Sequence, residues 1–61
     1  QSFYDILNTV RIRKAKELLL DPRLKIGEIG ERVGYADTAH FARTFKKQEG
    51  MSANEYRNTL K

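Results

Sequence analysis

Two short amphipathic segments meet at Gly34, and this junction constrains the fold of the 61-residue chain more than any other feature. Ile26 to Arg32 can form no more than two helical turns. Gly34 can take the left-handed conformation that ends a helix, and Tyr35 is placed to plug the corner. Asp37 then offers a carboxylate N-cap to a third helix running to about Gln48, which Gly50 terminates. Helix, glycine turn, helix over 26–48 is the pattern of a helix-turn-helix.

The flanking segments complete a helical reading. Ser2, with Asp5 three residues on, opens a first helix that continues to Leu20, where Asp21-Pro22 stops it. Ser52 with Glu55 repeats the capping pattern for a closing helix over 52–60. The expected fold is all-α: a small homeodomain-like bundle of about four helices in one domain over 1–61, with a long helix over 1–20. At about 100° per residue, Phe3, Leu7 and Val10 share one side of that helix, whereas Ile12, Ala15 and Leu19 lie on a side rotated from it. One long helix therefore carries two apolar faces. Phe3 and Tyr4 are expected to anchor packing, and Met51, Tyr56 and Leu60 to join the core. Arg11, inside the apolar arc, can meet a phosphate or pair with Glu28 or Glu31.

Composition narrows the function. With no cysteine, neither disulfides nor thiolate metal sites are available. The longest apolar run, Leu18-Leu19-Leu20, cannot span a membrane. A metal or catalytic site needs converging ligands, yet the single histidine, His40, has only Asp37 at helical distance. Ser2 and Ser52 read as caps rather than nucleophiles. No enzyme activity, metal or cofactor is expected. The net charge of +4 and pI near 9.7 favour a polyanionic partner, so the placement of the cations decides.

On the third helix that placement is one-sided. With Phe41 at zero, Phe45 falls near 40° and Gln48 near the same side, which makes this the buried face. Ala39, Arg43 and Lys46 point nearly opposite, flanked by His40, Ala42 and Lys47, and no Asp or Glu occurs from Thr38 through Gln48. A slim, basic, acid-free helix suits the major groove of double-stranded DNA. Thr38, Ala39, His40 and Arg43 are the expected base readers. The Arg43 fork can bond guanine N7 and O6 together, while Thr38 and His40 offer single hydrogen bonds and Ala39 close approach. Ala42, Thr44, Lys46 and Lys47 form the flank expected against phosphates. The competing reading is a protein-interaction module whose Phe3, Leu7 and Val10 face docks a partner while the basic helix is merely solvated.

From Phe3 onward the chain resembles the C-terminal part of the AraC/XylS family of bacterial transcription regulators. The residues that carry the likeness are Leu7, Arg11, Ala15 and Leu18-Leu19; Ile26, Glu28-Ile29 and Val33-Gly34-Tyr35; Phe41, Arg43, Phe45-Lys46-Lys47 and Gly50; and Tyr56-Arg57. The resemblance implies a linking helix followed by the second of two helix-turn-helix units in a cytoplasmic regulator. Its partners would be DNA and, in the full-length protein, the first unit and a regulatory domain. It puts base reading on Thr38, Ala39, His40 and Arg43. The chain departs from the family pattern at Gly30, where alanine is usual, at Lys25, where a small polar cap is common, and at Ala53, where proline often starts the last helix. Ala39 also withholds a polar side chain from a reading position.

Overall fold

The computed structural model describes residues 2–60. Gln1, part of the expected 1–20 helix, and Lys61, the last residue of the expected domain, lie outside the described residues. Four helices follow one another: α1 (Phe3–Leu18), α2 (Ile26–Arg32), α3 (Thr38–Glu49) and α4 (Ala53–Thr59), with no strand among the described residues.

Local side-chain chemistry sets most of the helix ends. The Ser2 hydroxyl accepts from the Asp5 N–H at 3.1 Å, and the Ser52 hydroxyl accepts from the Glu55 N–H at 3.1 Å. In return the Glu55 carboxylate accepts from the Ser52 N–H at 3.0 Å, a bond that holds the Glu55 carboxyl below its ordinary range. Gly34 and Gly50 both have positive φ, 107° and 79°, as the two turns require. α2 is the exception. Its N-cap, Lys25, provides no side-chain acceptor, and only the reverse bond, Lys25 N–H to the Glu28 carboxylate at 3.4 Å, is present.

α1 ends at Leu18, two residues earlier than its apolar pattern indicates. The chain tightens here: the Leu20 N–H reaches the Glu17 carbonyl and the Asp21 N–H the Leu18 carbonyl. Arg57 then reaches across from α4, its guanidinium donating to the carbonyls of Leu19 at 3.3 Å and Asp21 at 3.1 Å. The Leu19 carbonyl, at the C-cap of α1, gains a cationic donor that also suits the partial charge of a helix C-terminus, while the Asp21 carbonyl, which already accepts from the Leu24 N–H, gains a second donor.

The core joins Ile12, Ala15 and Leu19 of α1, Ile29 of α2, Tyr35 of the turn, Phe41 and Phe45 of α3, and Ala53 of α4. Its spine is a file of aromatic rings, Tyr35–Phe41–Phe45–Tyr56, with successive centroids 5.6, 5.9 and 5.7 Å apart. Gly30 lets α2 lie against this file, since a Cβ there would sit 3.0 Å from the Phe41 ring. Burying Phe41 and Phe45 fixes the rotation of α3 about its own axis.

Several packing expectations are corrected. Phe3 is 80% exposed and Tyr4 52% exposed, because the first turn of α1 carries them beyond the core; neither anchors packing in this chain. The two apolar faces of α1 do separate: Val10 is 49% exposed and Leu7 half-buried on the open face, while Ile12, Ala15 and Leu19 are covered on the other. Gln48 shares the azimuth of Phe41 by count yet is exposed, since the last turn of α3 instead turns Glu49 inward to Lys16, 3.1 Å away. Met51 and Tyr56 are half-buried, but Leu60, next to the end of the chain, is 40% exposed and lies outside the core.

Candidate nucleic-acid interface

The turn before α3 is held from three sides. The Tyr35 N–H closes the end of α2 on the Gly30 carbonyl at 2.9 Å, and the Gly34 N–H reaches Glu31. The Tyr35 ring is 3% exposed, and its hydroxyl donates to Oδ1 of Asn8 at 2.7 Å, a buried bond across 27 residues of chain. Burial pushes the Tyr35 phenol up from its ordinary value, an effect the nearby Arg11 charge partly offsets. The Arg11 guanidinium lies over the Tyr35 ring, 5.3 Å from its centroid, and packs so closely on Gly34 that a Cβ there would sit 3.1 Å from its Nε. Among the described residues Arg11 pairs with neither Glu28 nor Glu31, because its side chain is laid along the turn.

From this anchored turn Asp37 starts α3, its carboxylate accepting from the Ala39 N–H at 2.9 Å. With the two phenylalanines inward, Thr38, Ala39, Ala42, Arg43, Lys46 and Lys47 are all exposed. Gly27 brings the start of α2 close to Thr38, 3.5 Å from where a Cβ would stand.

Among the described residues ion pairs join Lys14 to Glu17, Lys16 to Glu49 and Arg23 to Asp21, and none includes Arg43, Lys46 or Lys47. The only acid inside α3, Glu49, is turned toward α1. Cations on an exposed stripe without acids keep their field for a ligand, as phosphate binding requires.

Two expected site residues are set apart from the stripe. Thr44 is half-buried on its flank. His40 is also half-buried and faces α1: its Nε2 lies 3.3 Å from the Tyr4 hydroxyl, and its ring meets Tyr35 edge-on, centroids 5.2 Å apart. Asn8 is not a site residue in the sequence reading, and Tyr4 enters it as a packing anchor. Their spacing with Arg11, at i, i+4 and i+7, is the signal that the sequence carries: three polar side chains on one line of the helix. Among the described residues no group of three or more His, Cys, Asp or Glu side chains could hold a metal ion. No helix among the described residues is long and apolar enough to cross a membrane.

Comparison with known proteins agrees with this geometry. A family model described as a helix-turn-helix domain matches residues 1–59. The helix-turn-helix-type transcriptional regulator YisR of Bacillus subtilis is 46% identical over 53 residues, covering 87% of this chain and 18% of that protein. The arabinose operon regulatory protein of Escherichia coli is 45% identical over 47 residues, 77% of this chain and 16% of that one. Among solved structures, the transcriptional regulator CdpR of Pseudomonas aeruginosa superposes with a TM-score of 0.88 at 41% identity, over 95% of this chain and 18% of that chain. The chain thus spans less than a fifth of the length of each of these three.

Proposed function

Because the chain belongs to the AraC-type helix-turn-helix family of DNA-binding transcription regulators, we propose that it binds duplex DNA by placing α3 in the major groove. The observation that carries this reading is the exposed stripe of α3, whose cations are free of acidic partners among the described residues. A helix rotated by Phe41 and Phe45 into the core presents Thr38, Ala39 and Arg43 to base edges, with His40 beside them. Arg43 makes the bidentate guanine contact, which a lysine could not copy. Lys46 and Lys47 meet phosphates one turn on. Thr44 serves the same flank with its hydroxyl, while Ala42, which has no side-chain donor, permits close approach of the backbone.

One such unit covers only roughly 600 to 1,000 Å² of its own surface on DNA, so by itself it binds weakly. In the full-length cytoplasmic regulator a first helix-turn-helix unit packs on Phe3, Leu7 and Val10 and adds affinity through effective concentration. A regulatory domain supplies the signal.

The test separates the two kinds of contact. Arg43→Ala is expected to relax preference at one base position, by about 1 to 3 kcal/mol of discrimination. Lys47→Ala is expected to weaken binding to all duplexes alike and to lower the slope of log K against log salt by about one. If both variants lost affinity uniformly and kept the salt slope, this assignment of roles would be wrong.

A further inference from the structure

We infer that Tyr4 is a positioning residue for His40, fixing which imidazole nitrogen is left to face DNA. The inference rests on the groove-reading proposal above. Tyr4 belongs to α1, 36 residues from His40 in sequence, and no reading of α3 by itself includes it. Its ring is 52% exposed, so burial does not account for where it lies, yet its hydroxyl stands 3.3 Å from Nε2 of His40. The imidazole also meets the ring of Tyr35, edge-on at 5.2 Å and 86°. Tyr35 is itself fixed by Asn8 and carries the Arg11 guanidinium on its ring. Tyr4, Asn8 and Arg11 are one stripe of α1. That stripe therefore determines where the His40 ring sits.

The chemistry of the pair decides what His40 can read. A phenol is a better donor than acceptor, because its oxygen lone pair is delocalised into the ring, so the Tyr4 O–H donates and Nε2 of neutral His40 accepts. A neutral imidazole has one N–H, which must then be on Nδ1. His40 is presented as a single N–H donor, and its ligand must be an acceptor: a purine N7, guanine O6, thymine O4 or a phosphate oxygen. A base donor, such as the amino group of cytosine or adenine, is refused.

Two measurements on this chain test the pairing. The first needs no DNA: the imidazole 15N shifts of His40 are expected to report a protonated Nδ1 and an accepting Nε2. In Tyr4→Phe they are expected to move toward the mixture of tautomers of a free histidine. Identical spectra in the two proteins would overturn the inference.

The second uses a pool of randomised duplexes selected in parallel by the parent chain, Tyr4→Phe, His40→Ala, the double variant and Arg43→Ala. Tyr4→Phe is expected to cost about two- to tenfold in affinity for the parent's selected duplex, the range of one neutral hydrogen bond. The double variant is expected to bind no worse than His40→Ala alone. Loss of preference at one base pair, reproduced by 7-deazapurine there, marks a base acceptor. A uniform loss reproduced by one methylphosphonate marks a phosphate. If His40→Ala weakens binding while Tyr4→Phe does not, the positioning role is refuted and groove reading stands. If Arg43→Ala also selects and binds like the parent, groove reading by α3 fails, and the imidazole spectra alone decide the Tyr4–His40 bond.

Discussion

Tyr35→Phe removes one oxygen from a fully enclosed site and is the sharpest test of how the turn before α3 is held. The lost hydroxyl donates to Asn8 Oδ1 at 2.7 Å, and both residues are buried, Asn8 at 6% exposure. Without the hydroxyl, the buried Asn8 Oδ1 loses this hydrogen bond. Such a loss costs about 1 to 3 kcal/mol. For a domain of about 60 residues each kcal/mol is worth roughly 4 to 8 °C in Tm, so a cost of about 2 kcal/mol lowers Tm by roughly 8 to 16 °C. Thermal melts followed by circular dichroism measure the shift.

Asn8→Ala alone strands the phenol instead, and the double variant removes both polar atoms. The double-mutant cycle should show a coupling of about 1 kcal/mol or more, with the two losses less than additive. The pH dependence has a definite sign. Burial raises the folded-state pKa of Tyr35 above its ordinary 10.0. Its contribution is therefore fully present below pH 10.0 and is lost as pH rises through the higher folded value. Tyr35→Phe should remove that part of the alkaline destabilisation. A Tyr35→Phe protein that melts with the parent, or a cycle with no coupling, would refute the role of this bond.

Other parts of the fold give independent checks. Lys25→Ser supplies the acceptor that α2 lacks and takes a cation from its N-terminus, so Tm should rise by roughly 4 to 8 °C for about 1 kcal/mol gained, and no rise would contradict the reading of that cap. The Arg23 guanidinium and N–H hold the Asp21 carboxyl at about 2, against an ordinary 3.8. Its stabilising effect is thus present above pH 3.8 and lost as pH falls through about 2, and a carboxyl 13C titration of Arg23→Ala should return the group toward 3.8.

What was legible in the chain was local chemistry. Ser2 with Asp5, Asp37, Ser52 with Glu55, and the positive-φ glycines Gly34 and Gly50 mark helix ends with atoms from within a few residues, and each forms the expected structure. The exposed stripe of Thr38, Ala39 and Arg43 was legible for a related reason, because two large aromatics four residues apart fix the rotation of a short helix. Contacts that join distant segments were not. Helical spacing puts Tyr4, Asn8 and Arg11 on one line of α1, but it does not name the partners they meet in Tyr35 and His40, nor the bond from Arg57 to the end of α1. Counting azimuths also treated α3 as if the core ran its whole length, which misassigned Gln48.

The most direct measurement is an NMR titration of the 15N-labelled chain with duplex DNA carrying its selected site. The amides of Thr38 to Lys47, with the Arg43 Nε–H, are expected to shift most, and added salt should reverse the shifts as counterions return to the phosphates. If these amides stayed in place while another surface moved, α3 would not be the element that reads DNA.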